Sequence, residues 1–186
     1  MDAAAHRHRP PLARKTQAVT GRAELDREGF IARFGGVFEH SPWIAEAAYD
    51  AGIPAKTETA EALHALLVAA MRAGSRDQKR ALIAAHPDLA GRLARAGRLT
   101  ADSAREQASA GLDLLSDAER ETFTALNEAY KERFQMPFIM AVKGRSKDEI
   151  LAAFRARLNN DAEAEFATAL KQIERIALLR LKDLLP

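Results

Sequence analysis

Cysteine is absent from this chain. That excludes disulfides, thiolate nucleophiles, and zinc or iron–sulfur sites built on sulfur, and it fits a reducing cytosol. Aromatic residues are sparse at 6%. β-Branched residues are also few, so the apolar side is mostly Ala and Leu. No apolar run reaches membrane-spanning length. A net charge of +2 is too small to call for nucleic acid. The N-terminus is charged but no apolar core follows it, so it does not read as a secretory signal. Neither a nucleic-acid partner nor a membrane is expected.

What is present points to helices. The chain has 186 residues, 47% of them hydrophobic and 29% charged. Ala, Leu, Glu and Arg favour helix over strand. The expected fold is all-α: a single-domain bundle of about eight helices with one short extended buried segment. Residues 1–22 read as a disordered N-terminal tail. Arg7, Arg9, Arg14, Lys15 and Arg22 there face one acid, Asp2, and His6 to Pro11 lacks helical periodicity. The helical domain then spans 23–186.

Caps mark the helices. Asp26 opens the first, and Gly35-Gly36 stop it. Ser41-Pro42 predicts an N-cap followed by proline at the first helical position. Thr57 or Thr59 starts a third helix, ended by Gly74. Ser75 with Gln78, Ser116 with Glu119, and Ser146 with Glu149 form capping boxes. Asn160 or Asp161 caps a last long helix carrying Phe166, Leu170, Ile173, Ala177 and Leu181 on one stripe.

Three pieces interrupt this regularity. The first is His86-Pro87-Asp88-Leu89-Ala90. Pro87 disfavours helix in the residue before it, so the fourth helix should end at His86, with its imidazole at a rigid corner. A helix C-terminus favours a protonated ring, which suits a histidine that holds or delivers a proton. The bland alternative is a histidine that only caps. A short helix is expected from Asp88 to Ala96. The second piece is Ser103-Ala104-Arg105-Glu106-Gln107. Ser103 and Glu106 match a capping box; with Thr100 as the cap, they lie one turn apart on one face instead. The third piece is Gln135 to Val142. Pro137 ends a helix, and the apolar run after it leaves backbone groups for a ligand, for protein or for water.

Together these pieces resemble the decarboxylases of 2-oxo-4-hydroxy-4-carboxy-5-ureidoimidazoline (OHCU). The likeness runs in order through Phe34-Gly35-Gly36-Val37-Phe38-Glu39-His40-Ser41-Pro42-Trp43, the His86 and Ser103 pieces, Ala110-Gly111-Leu112, Asn127-Glu128-Ala129-Tyr130, Pro137-Phe138, Arg157-Leu158-Asn159-Asn160 and Arg180-Leu181. The resemblance implies an all-helical homodimer; the chain departs from eukaryotic members in ending Leu184-Leu185-Pro186, with no peroxisomal C-terminal signal, and a cytoplasmic, bacterial protein is expected. It implies a carboxy-lyase of urate breakdown that yields (S)-allantoin with no metal and no organic cofactor. His86 matches the catalytic proton donor and Glu106 its acidic partner. Pro87, Ser103, Ala104, Arg105, Glu106, Gln107, Phe138, Ile139, Met140, Ala141 and Val142 match the substrate-binding positions. Arg180, Arg157 and Arg105 are candidates to balance the substrate carboxylate. A second departure is Phe134-Gln135-Met136-Pro137-Phe138 where the family often has Phe-Gly-Phe-Pro-Phe.

Two other readings compete. A related lyase could act on another ureido-type small molecule. A non-enzymatic helical binding module would explain the helices and the basic tail, but would leave the His86 and Glu106 pieces as coincidence.

Overall fold

A computed structural model describes residues 25–53, 59–91 and 97–185. Its elements are eight helices, with no strand among the described residues. They are α1 (Arg27–Phe34), α2 (Trp43–Asp50), α3 (Ala60–Ala73), α4 (Arg76–Ala85), α5 (Ala101–Ser109), α6 (Asp117–Phe134), α7 (Lys147–Arg157) and α8 (Ala162–Leu184). The expected N-terminal tail and the Thr57 start lie outside the described residues. So do residues 92–96 of the short helix expected from Asp88. Leu89 and Ala90 form a turn instead of that helix's first residues.

The caps explain most boundaries. Asp26 accepts from the Gly29 amide at 2.8 Å. Thr59 accepts from the Ala62 amide at 3.1 Å. All three expected capping boxes form, at Ser75, Ser116 and Ser146. Each satisfies two backbone N–H groups that a helix start leaves orphaned. Asp161, not Asn160, caps α8. Ser41 departs from expectation: its hydroxyl caps nothing, and Pro42 is already helical at φ −60° and ψ −21°. The Ser41 carbonyl instead accepts from the Ile44 amide at 3.2 Å.

Helix α8 is the spine. It packs against α3 and α4, while α2 lies on α3, α1 on α2, and α6 on α7. Its buried stripe is Ala169, Ile173, Ile176, Ala177 and Leu181. Gly74 permits one close approach, because a Cβ there would lie 2.6 Å from the Trp43 ring. A second aromatic nucleus joins α6 to α7. Phe138 stacks on Phe154 at 3.7 Å between ring centroids, and Tyr130 meets both edge-on.

Phe138 belongs to the segment that was expected to be irregular. Residues 137–142 carry neither helix nor strand, and Phe138, Ile139, Ala141 and Val142 are buried. Helix α6 stops before Pro137, at Gln135, whose backbone is left-handed with φ 56°. Glycine fits that conformation best, which explains why the family often has Gly at this place. Here the Gln135 side-chain amide donates to the Glu132 carbonyl at 2.8 Å.

Candidate active site

Helix α4 delivers the histidine. His86 closes it with an extended backbone, φ −76° and ψ 137°, as the following proline dictates. The ring is buried. Its Nδ1 lies 2.9 Å from the Leu82 carbonyl oxygen. A carbonyl oxygen can only accept, so Nδ1 carries the hydrogen and Nε2 is left with a lone pair. Burial drives the imidazole down to about 4, overcoming the Leu82 carbonyl and the charge of Glu39, which favour the cation; Arg180 and His40 oppose the cation further. The sequence alone left the protonation state of the ring open. Desolvation outweighs the favourable end of the helix dipole, so His86 rests neutral at pH 7.

The turn after His86 is tightly held. Ala90 is left-handed at φ 51°, an uncommon state for a residue with a Cβ. Gln107 accepts from its amide at 2.9 Å. Asn127 donates to the Leu89 carbonyl at 2.9 Å, and Lys131 pairs with Asp88 at 2.7 Å. Gly91 is required next, because a Cβ there would sit 2.5 Å from that of Asp88. Helices α5 and α6 thus fix the corner that aims the imidazole.

Helix α5 delivers the acid. Thr100 is its cap, accepting from the Ser103 amide at 3.3 Å. That decides between the two sequence alternatives: Ser103 and Glu106 lie inside the helix, one turn apart. Arg180 of α8 reaches across to Glu106, with Nε to Oε1 at 2.7 Å and Nη2 to Oε2 at 3.0 Å. The same guanidinium donates to Glu39 at 2.9 Å through Nη1. Glu39 in turn accepts from Thr100 at 2.7 Å and Ser103 at 3.1 Å. Arg180 and Glu39 are almost fully buried, while the Glu106 side chain keeps 22% of its surface. Glu39 is desolvated, yet its hydrogen bonds and Arg180 hold it below the usual carboxylate range.

His86, Pro87, Ser103, Glu106, Gln107 and Arg180 line one cleft together with Phe138, Ile139, Met140 and Val142. Its enclosed volume is about 30 Å³, and about 340 Å³ with the open mouth included. Other sequence-derived candidates fall elsewhere. Ala104 and Arg105 are exposed on α5. Arg105 pairs with Asp102 and borders a wider neighbouring cleft that shares Glu106 and Arg180. Ala141 is buried without lining the cleft, its amide donating to Gln172 at 3.0 Å. Gln107 is engaged at both ends, since its amide also reaches the Asp88 carbonyl at 3.4 Å. Arg157 lies behind the irregular segment, donating to the Ile139 carbonyl at 2.7 Å. The N–H groups of Ile139, Met140 and Val142 and the Met140 carbonyl have no protein partner among the described residues.

Sequence reasoning missed Glu39 as a site residue. The signal was slight: an acid directly after buried Val37 and Phe38, in the turn between α1 and α2. It also missed Gln172, which no local pattern marks. Among the described residues, no three His, Asp or Glu side chains gather as a metal ion would need. No described helix is long and apolar enough to cross a membrane.

A buried imidazole and a half-buried carboxylate thus line one small cleft of an all-helical protein, together with backbone amides that have no protein partner among the described residues. The family model for OHCU decarboxylase matches residues 23–182, so the chain belongs to the OHCU decarboxylase family. It is 42% identical to the 2-oxo-4-hydroxy-4-carboxy-5-ureidoimidazoline decarboxylase of Haloferax volcanii, over 86% of this chain and 90% of that protein. It is 36% identical to the mouse (Mus musculus) protein of the same name, over 87% of this chain and 89% of that one. The solved structure of (S)-allantoin synthase superposes with a TM-score of 0.67 at 33% identity. That match covers 87% of this chain and 51% of the other. An OHCU decarboxylase crystallised in the presence of (S)-allantoin has a TM-score of 0.61 over 86% of this chain and 98% of its own, and at 17% identity speaks for the fold alone.

Proposed function

We infer that the protein is a carboxy-lyase that decarboxylates OHCU to (S)-allantoin in urate breakdown, without metal or organic cofactor. The observation that carries this reading is one cleft lined jointly by His86, Glu106 and, from the irregular segment, Phe138, Ile139, Met140 and Val142, in a chain of that family.

The chemistry follows from the substrate's functional groups. Its carboxylate and hydroxyl share one ring carbon, and the neighbouring carbon carries the ureido group. When CO₂ leaves, its bonding electron pair stays behind and the unsaturated ring takes it up. The product is an enol, which becomes a ketone by losing its hydroxyl proton while the neighbouring carbon gains one. A neutral imidazole with a free Nε2 suits this exchange. His86 takes the hydroxyl proton, then returns it as imidazolium to the neighbouring carbon from one face only. One further proton, from solvent, reaches the ring nitrogen. A single face of protonation makes a single enantiomer.

The remaining residues orient. Glu106, fixed by Arg180, accepts from the ureido N–H groups. The unpaired backbone groups of Ile139, Met140 and Val142 meet the ring amides. Arg180 already answers two carboxylates, so the substrate carboxylate is not given a whole cation. That suits a charge that must leave as neutral CO₂, because tight neutralisation would favour the ground state over the transition state. The family resemblance further supports a homodimer in the cytoplasm, which sedimentation and cell fractionation test.

The deciding assay uses OHCU freshly generated from urate. OHCU decays unaided to racemic allantoin, so the readout is optical activity of the product. Accumulation of (S)-allantoin faster than uncatalysed decay is expected. A racemic product formed at the uncatalysed rate sinks the assignment.

A further inference from the structure

The geometry points to Glu39 as a positioning residue for the reaction: from outside the cleft it sets Arg180, Ser103 and thereby Glu106, and holds a negative charge ready for the imidazolium form of His86. This rests on the proton-exchange role of His86 given above.

The observations begin with an excess. Arg180 is already answered by Glu106 through a two-pronged contact. A second buried carboxylate on the same guanidinium is costly to desolvate and is not needed for neutrality. Yet Glu39 is 2% exposed and fully engaged. Its three partners come from different places: Thr100 at the start of α5, Ser103 inside α5, and Arg180 on α8. Glu39 itself sits in the α1–α2 turn, anchored by buried Val37 and Phe38. It therefore locks the orientation of α5, the helix that presents Glu106, against the spine helix. Arg180 extends the lock through its Nη1 bond to the Val37 carbonyl at 3.3 Å.

The charge has a second use. Two carboxylates and one guanidinium leave the cluster with a net negative charge. The titratable groups acting on His86 are Glu39, which favours the imidazolium, and Arg180 and His40, which oppose it; Glu106 stands in the same cleft. When His86 accepts a proton during the reaction, the cluster's negative excess stabilises the cation in a site with little water. Glu39 does not line the cleft, so it does this without competing for substrate.

Glu39→Gln separates charge from shape, since the amide keeps the size and one acceptor oxygen. The expected result is a kcat lower by roughly 10- to 100-fold with KM nearly unchanged. The acid limb of kcat/KM and the NMR titration of the His86 ring should both move to lower pH. Glu39→Asp restores the charge and should bring the titration back toward wild type, with partial recovery of kcat. Wild-type kcat in a folded Glu39→Gln, or a titration that does not move, overturns the proposal. So does failure of both variants to fold, which would make Glu39 only a structural clamp. Wild-type turnover of OHCU is the separate control: if it is absent, the parent reading fails, whereas the His86 titration needs no substrate.

Discussion

Two arginines, each bound to a buried carboxylate, make an instructive pair. Arg157 pairs with Glu165, whose side chain is fully buried. Tyr130 and Asn160 also donate to Glu165, and Arg157 stacks over Phe138 at 4.3 Å while holding the Ile139 carbonyl. Around Glu165 the polar groups are met by protein, and Tyr130 is pushed above the normal tyrosine range by burial and by Glu165. Arg180 is buried more deeply, but one of its carboxylates, Glu106, opens onto a cleft, and a neutral histidine faces the same space. The first cluster is closed and holds the segment behind the site. The second is left open on one side, where a substrate can complete it. Burial of charge alone therefore does not mark a functional site; a polar group turned toward vacant space does.

The largest expected effect falls on the open side. His86→Asn should lower kcat by about 10²–10⁴ while the helical circular dichroism stays unchanged. A variant with near-normal turnover removes His86 from the chemistry. On the closed side, Arg157→Met should cost about 3–5 kcal/mol of stability, because it strands Glu165 as an uncompensated buried charge. Urea unfolding measures it; a loss under about 1 kcal/mol would mean that the closed cluster holds nothing.

A smaller effect depends on pH. The His86 ring titrates at about 4 in the folded chain, against about 6.5 when unfolded. As pH falls, the unfolded chain takes up the proton first. The stability contribution is thus complete above about pH 6.5 and lost as pH falls toward about 4, on the order of 3 kcal/mol. Urea midpoints at neutral and acid pH should converge for His86→Asn relative to wild type by that amount. Parallel acid sensitivity in the two chains would refute the neutral ring. The smallest effect concerns the left-handed Gln135. Gln135→Gly should raise stability by about 1 kcal/mol by removing the Cβ clash. A lower melting temperature would show that the bond from its side chain to Glu132 matters more.

Much of this was legible without coordinates. Asp26, Thr59, Ser75, Ser116 and Ser146 cap where their patterns say, because a cap is an interaction between residues three apart. Pro87 ended α4 at His86 for an equally local reason. The Ser103 alternatives, by contrast, were undecided locally, and Thr100 won because it also contacts Glu39 from the α1–α2 turn. The protonation of His86 was undecided in the sequence, since a helix terminus is visible there and burial is not. Arg105, Arg157 and Arg180 looked equivalent as candidate cations; their surroundings place the first at the surface, the second in the closed cluster and only the third at the cleft.

The sequence by itself determined most of the helices, most of their ends and the family to which the chain belongs, because periodicity, caps and motifs act over a few residues. Tertiary structure alone decided which carboxylates share Arg180, that Gln107 serves the turn after His86, and that the imidazole rests uncharged. Those outcomes depend on dielectric and on groups brought together from distant parts of the chain, and neither is a property of any short stretch of it.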